Sequence, residues 1–270
     1  MTVTVAEPTM EERIAQLLDQ GTGDLPVLPR AAEHALKLAG QANIDFDEVA
    51  RVGEADPPLA ARILSVANSA LYFRGQPVTS VRAASVRIGA QALRDVLYLA
   101  VYSGTIFDVP RFRGKVEEAF RHSVLVARLA RALGERAGQG ADAGFLPGLL
   151  HDVGRARCLR LAARRVRPDT TEAELTLAID RLHTRAGAAL VRAWRLPDAV
   201  VEACEHHHAP DGKPTATLIA AADALAHFTE APPRATEAQC LAALERLGLP
   251  PAEGPEVLGM ARAEADRGAA

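Results

Sequence analysis

Apolar residues recur at three- and four-residue steps in almost every segment of this chain, and the alternation of a half-buried strand is nearly absent, so the pattern predicts an all-α protein. Pro57–Phe73 shows the pattern well: Leu59, Ile63, Val66, Ala67 and Ala70 share one face. Pro57 and Pro58 fall in the first turn, where no N–H donor is needed, and Asp56 is placed to cap it. Asp45 is placed to cap a short helix through Arg51, and LPVLP at 25–29 separates these elements from a first helix near 9–20. Proline, glycine and charge in DVPRFRG (108–114) predict a subdomain boundary. Beyond it the periodicity predicts helices near 116–137, 142–152, 171–181, 184–195, 197–208 and 215–229, then, after APPR (231–234), near 236–247 and 253–266. Pro147 is expected in a first turn or at a kink, and Gly154 is expected to stop the helix ending at His151 and Asp152. The organisation expected is a two-lobed helical bundle: an N-terminal lobe over 1–110, a second lobe over 111–230 and a C-terminal helical cap over 231–270. No repeat of 20–50 residues points to a solenoid.

With 270 residues, 49% hydrophobic and 24% charged, the chain is long and apolar enough to bury a core, which argues against disorder. The 31 basic and 34 acidic residues leave a net charge of −3, so no global basic field favours nucleic acid or anionic lipid. Only Lys37, Lys115 and Lys213 are lysines; the arginine skew reflects genome composition and decides nothing about a site. Cys158, Cys204 and Cys240 are far apart and form no CxxC, which fits a reducing compartment without disulfides or a thiolate zinc site. The first residues lack a basic stretch followed by an apolar core, and the longest uncharged apolar run, Val96–Phe107, falls short of the roughly 18 residues of a membrane span. A soluble, cytoplasmic protein is expected.

The informative chemistry is a set of polar residues on faces that point inward. His122 is followed by Leu125, Val126, Leu129 and Leu133 at helical spacing, so it shares a buried stripe. His151 and Asp152 end the apolar run FLPGLL, where an imidazole and a carboxylate side by side can grip one cation. In His206–His207–His208, counting from Val200 and Cys204 places 207 and 208 on the apolar face and 206 beside Glu202 on the wet side. Asp223 lies inside TLIAAADALAHF with no Arg or Lys within a turn, so its carboxylate needs a partner from elsewhere in the fold. His183 precedes Gly187, whose small size lets a backbone or ligand come close. Each has a plainer reading: a satisfied core histidine at His122, a solvated polar turn at His151–Asp152, an exposed helix end at His207–His208. The arginines of RARCLRLAARRVRP (155–168) read foremost as a solvated face, with Arg155, one turn from Asp152, the best placed to reach a phosphate.

The spacing His122, His151–Asp152, His183, His207–His208, Asp223 resembles the HD superfamily of helical metal-dependent phosphohydrolases. ADPPLAARILSVANSALYF (55–73), VTSVRAASVRIGAQALRDVLY (78–98), RHSVLVARLA (121–130), GLLHDVGR (148–155), HTRAGAALVRAWRLPDAVVEACEHHHAP (183–210) and LIAAADALAH (218–227), with LPVLP, narrow it. Over about 25–230 the chain is similar to the HDOD family, the HD-related output domain of bacterial signalling proteins.

That resemblance implies a two-lobed fold whose second lobe is HD-like and whose core ligands are His122, His151, Asp152 and Asp223. Relatives with two metals, such as the HD-GYP phosphodiesterases, extend the set to His183, His207 and His208 with Asp152 bridging. Imidazole with carboxylate suits one or two ions of Fe, Mn, Zn or Ni. Two departures argue against an enzyme of the HD-GYP type: Arg155 stands where those proteins carry Lys, and DGKP (211–214) replaces GYP. The expected function is a bacterial signalling module with a retained metal site, acting on signalling proteins or a phosphate-bearing small ligand. The alternatives are a phosphohydrolase of a nucleotide or cyclic dinucleotide, with Asp152 and Arg155 catalytic, and a metal-free helical scaffold.

Overall fold

The computed structural model describes residues 7–20, 25–28, 30–41, 43–101, 107–140 and 142–269. Residues 1–6 and 102–106, on which the readings of the N-terminus and of the run Val96–Phe107 partly rest, lie outside the described residues. The described chain holds α-helices, short 3-10 turns and no strand: α1 (Met10–Asp19), α2 (Arg30–Ala39), α3 (Phe46–Ala55), α4 (Pro57–Ala67), α5 (Val81–Val101), α6 (Arg113–Arg136), α7 (Asp142–Leu150), α8 (Val153–Ala163), α9 (Glu172–Ala193), α10 (Asp198–His206), α11 (Pro214–Thr229), α12 (Glu237–Arg246) and α13 (Gly254–Ala269). Among the described residues no helix is long and apolar enough to cross a membrane.

Contacts group Pro26–Phe107 into one compact unit and Met1–Leu25 with Asp108–Ala270 into another. The first unit contains α2–α5, and α2, α3 and α4 each pack on α5. Leu38, Val49, Leu59, Ile63, Leu93 and Leu97 form the centre of its core. The caps fall where the sequence puts them: the Asp45 carboxylate accepts from Asp47 and Glu48 N–H, and that of Asp56 accepts from Leu59 N–H. α4 stops at Ala67 rather than running to Phe73, because the Asn68 side chain both donates to Val78 O (2.9 Å) and accepts from Val78 N–H (2.8 Å), turning the chain out of the helix. Buried Arg94 of α5 donates to the carbonyls of Ala39 (2.7 Å) and Gln41 (3.1 Å), satisfying the exposed acceptors at the end of α2.

The second unit contains α1 and α6–α13. α1 packs on α8 and α9, so the N-terminal helix groups with the later helices and not with α2–α5, unlike the lobe expected over 1–110. α11 is the central element, touching α6, α7, α10, α12 and α13. Leu129 and Leu133 of α6, Leu218 and Ile219 of α11, Leu244 of α12 and Val257 of α13 belong to one core. A single helix, α9, replaces the two expected over 171–195; it starts at a Thr171–Glu174 capping box and runs unbroken through Gly187 to Ala193. Pro147 lies inside α7, past its first turn.

Two close approaches set the geometry of this unit. A Cβ on Gly148 would come within 2.9 Å of Ala127 Cα, so α7 lies directly against the backbone of α6. Gly154 does not stop a helix. It is the second residue of α8, and a Cβ there would lie 1.8 Å from His183 O and 2.5 Å from Gly187 N, so its bare Cα lets α8 touch α9. Gly154→Ala is expected to force these backbones apart at a cost of about 3 kcal/mol, lowering Tm by roughly 6–12 °C. Gly114→Ala in α6, where an added Cβ meets nothing, is expected to leave Tm unchanged or raise it slightly; equal melting of the two variants would contradict this account.

Candidate metal centre

The second unit brings all seven predicted ligand residues to one place. The apolar stripe of α6 carries His122 inward, and the end of α7, pressed onto α6 by Gly148, delivers His151 beside it, with ring centroids 5.5 Å apart. Asp152 precedes α8 in the N-cap position but makes no capping hydrogen bond; its carboxylate faces the histidines instead. α9 supplies His183 from its middle and α11 supplies Asp223. His207 and His208 follow the last residue of α10, with His183 and His208 Nε2 atoms 3.0 Å apart. His206 stays away from the cluster, 3.8 Å from Glu205, and is half-buried, while His208, counted onto the apolar face, is exposed because the helix ends at His206.

The arrangement has an internal order. His151 Nδ1 lies 2.7 Å from Gly148 O, His207 Nδ1 2.8 Å from Ala203 O, and His183 Nδ1 3.1 Å from Ile179 O. Carbonyls only accept, so each Nδ1 carries a proton and each ring turns its Nε2 edge to the centre. Asp152 Oδ1 sits 3.3 Å from His183 Nε2 and 3.5 Å from His207 Nε2, while its Oδ2 is 3.8 Å from His151 Nε2. Asp223 Oδ1 is 2.9 Å from His122 Nε2 and 3.8 Å from His151 Nε2. One set, His122, His151 and Asp223, thus faces a second, His183, His207 and His208, with the two oxygens of Asp152 between them.

Electrostatics follow from burial against pairing. Burial pushes His151 down to about 3 and, with His207 alongside, His208 to about 4; it also lowers His183. At His122 burial acts in the same sense but hydrogen bonds to Asp223 and Glu230 outweigh it, raising the imidazole to about 9. His207 is likewise raised, against burial, by Asp152. Burial alone would raise both carboxyls; the imidazoles, and Arg155 beside Asp152, hold them below the usual range.

Three buried atoms here make no hydrogen bond: His151 Nε2, His207 Nε2 and Asp152 Oδ1. His151 Nε2 has no donor near it, and His207 Nε2 and Asp152 Oδ1 face each other at 3.5 Å, beyond a good hydrogen bond. Leaving each unpaired costs about 1–3 kcal/mol, whereas a cation would satisfy all of them at once. The donor set, imidazole nitrogens with carboxylate oxygens, therefore fits a divalent transition metal.

A cavity of about 130 Å3 opens onto this centre, lined by Lys115, Glu118, Thr176, His122, Asp152 and Arg155, with His227 and Arg234 at its side. Arg155 donates from Nε to Asp152 Oδ2 (2.6 Å) and from a terminal nitrogen to Asp180 (2.8 Å). Of the other arginines in 155–168, Arg157 is buried and donates to Ala186 O (2.8 Å), while Arg164 and Arg165 are exposed. Two residues at the site were missed from sequence: His227, stacked on His122 at 4.7 Å, and Glu230, 3.0 Å from His227 Nδ1. The available signal was spacing, since His227 lies four residues and Glu230 seven after Asp223 on the same helical face.

Comparison with known proteins adds the following. A ribonuclease Y of Thermus thermophilus is 33% identical over 138 residues, 49% of this chain. The chain spans less than half the length of the curated relatives it matches, 46% of an uncharacterised Treponema pallidum protein and 21% of that ribonuclease Y. In fold it is similar to a candidate metal-dependent phosphohydrolase of Shewanella amazonensis (TM-score 0.69, 23% identity, 96% of this chain and 99% of that one). It is also similar to a candidate signal transduction protein of Marinobacter aquaeolei (TM-score 0.68, 22% identity, 96% and 64%). The model of the HDOD domain matches residues 25–210, more than two thirds of the sequence, and with this helical architecture the chain belongs to the HDOD family.

Proposed function

We propose that this chain is a bacterial signalling module whose ligand set, His122, His151, Asp152, His183, His207, His208 and Asp223, holds one or two ions of Fe, Mn, Zn or Ni. It acts by binding a phosphate-bearing ligand or a partner protein at the cavity over them. The observation that carries this reading is three buried polar atoms, His151 Nε2, His207 Nε2 and Asp152 Oδ1, that make no hydrogen bond inside one cluster of imidazoles and carboxylates. A metal-free scaffold would leave them uncompensated. Asp152 is suited to bridge two ions because its oxygens face different histidines. When bound, the ions supply positive charge that screens a phosphate and acidifies neighbouring water. The chain's own residues do the rest: backbone carbonyls hold the imidazole Nδ1 protons, Arg155 orients the Asp152 carboxylate, and Lys115, paired with Glu172, and Arg234, paired with Glu230, line the cavity beside Glu118.

Hydrolysis is the second reading, favoured by the cavity's direct opening onto Asp152 and Arg155. The signalling reading is preferred because Arg155 is already engaged by Asp152 and Asp180 and the lysine and GYP of the HD-GYP enzymes are replaced. The likeness to a candidate signal transduction protein agrees with it.

Protein purified from metal-replete medium is expected to carry one to two equivalents of a first-row metal by elemental analysis, and His151→Ala to carry at least one equivalent less than wild type. Wild-type protein under about a tenth of an equivalent would favour the scaffold. His122→Ala is expected to lower metal content and Tm together, and loss of neither would remove His122 from the ligand set. With Mn or Fe and a panel of nucleotides, cyclic dinucleotides and, given the ribonuclease Y relatives, short RNAs, binding without turnover is expected. Turnover abolished by Asp152→Ala would install the hydrolase reading instead.

A further inference from the structure

His227 and Glu230 belong to neither set described by the family resemblance, and the family match ends at residue 210, before both. His227 Nδ1 lies 3.0 Å from Glu230 Oε1, and the same oxygen lies 3.5 Å from His122 Nδ1. Glu230 is fixed in turn by Arg234, whose Nε and a terminal nitrogen donate to its two oxygens. One clamped carboxylate thus takes the Nδ1 side of two stacked imidazoles, the role that backbone carbonyls play for His151, His183 and His207. His227 Nε2 faces Asp223 Oδ1, 3.4 Å away, so the imidazole lies between Glu230 on its Nδ1 side and Asp223 on its Nε2 side. His227 also lines the cavity, so its Nε2 stands where an ion held by His122 and Asp223 would be approached.

We propose that His227 is a further ligand of the cation at His122, His151 and Asp223, and that Glu230, locked by Arg234, is the positioning residue that aims both His227 and His122 at it. The inference rests on the cation reading above. It gives the His122 side an additional imidazole on the helix that carries Asp223, one that closes from the cavity.

The test is cobalt(II) titration of the metal-free 270-residue chain, followed by its visible bands, with His227→Ala, Glu230→Gln, His151→Ala and, as a control on an exposed helix face, His34→Ala. His227→Ala and Glu230→Gln are expected to weaken one cobalt site about 10–100-fold and alter its spectrum, leaving any second site and the His34→Ala profile as in wild type. In cadmium-113-loaded wild-type protein, nitrogen-15 spectra should show metal coupling at His227 Nε2 as well as His151 Nε2. Glu230→Gln should shift the His227 tautomer equilibrium while the fold, judged by circular dichroism, is retained. Coupling at His151 but not at His227, with cobalt binding unchanged in His227→Ala, would overturn the inference and leave the metal reading intact. No cobalt binding by the wild type would overturn both.

Discussion

Imidazole nitrogens and a carboxylate oxygen that can only accept converge inside this protein, and everything else about the site depends on that excess. His151, His183 and His207 have each given the Nδ1 proton to a carbonyl, so a second proton on any of them would create a buried cation. Burial drives His151 down to about 3, which shows how strongly its surroundings resist that solution. Protons therefore cannot neutralise the cluster evenly. Against a whole-domain stability of about 5–15 kcal/mol, several unpaired interior polar atoms are a large standing cost, and the imidazole and carboxylate groups around them are of the kind that could hold a metal ion.

The convergence is built by close backbone packing. His151 and Asp152 sit at the junction of α7 and α8, and each helix is pressed against a neighbour through a glycine: Gly148 against α6, Gly154 against α9. Those two contacts place His122 and His183 on opposite sides of the His151–Asp152 pair. α11, packed at the middle of the unit, then brings Asp223 to close the group, and its last turns carry His227 toward Glu230. The core of Leu129, Leu133, Leu218 and Ile219 holds α6 and α11 in that relation, so the same packing that stabilises the fold fixes the distances of the site.

The HDOD assignment and the geometry speak to different parts of the question. The family match covers the helices that supply His122, His151, Asp152, His183, His207 and His208, while α11 with Asp223 and His227 lies beyond it and is placed by packing alone. Arg155 shows how local context redirects a residue. It stands where the HD-GYP enzymes have lysine, yet its guanidinium spans Asp152 and Asp180, tying a site carboxylate to one on the surface of α9.

Much of this was legible in the residues. Helical periodicity fixed the class, Asp45 and Asp56 announced their caps, and counting from Val200 placed His207 inward, whereas His208 is exposed and His206 half-buried because the helix ends at His206. Asp223 in an apolar helix announced a missing partner. What the sequence could not decide was the closeness of helices remote in the chain: that Gly154 is a contact surface and not a stop, that α9 runs unbroken past His183, that α1 packs with α8 and α9, and that Glu230 reaches two imidazoles. Which face a side chain takes is a local property of a 3.6-residue repeat and can be read from one dimension. Whether lone pairs from five helices meet within a few ångströms depends on interhelical distances, and only the packed tertiary structure sets those.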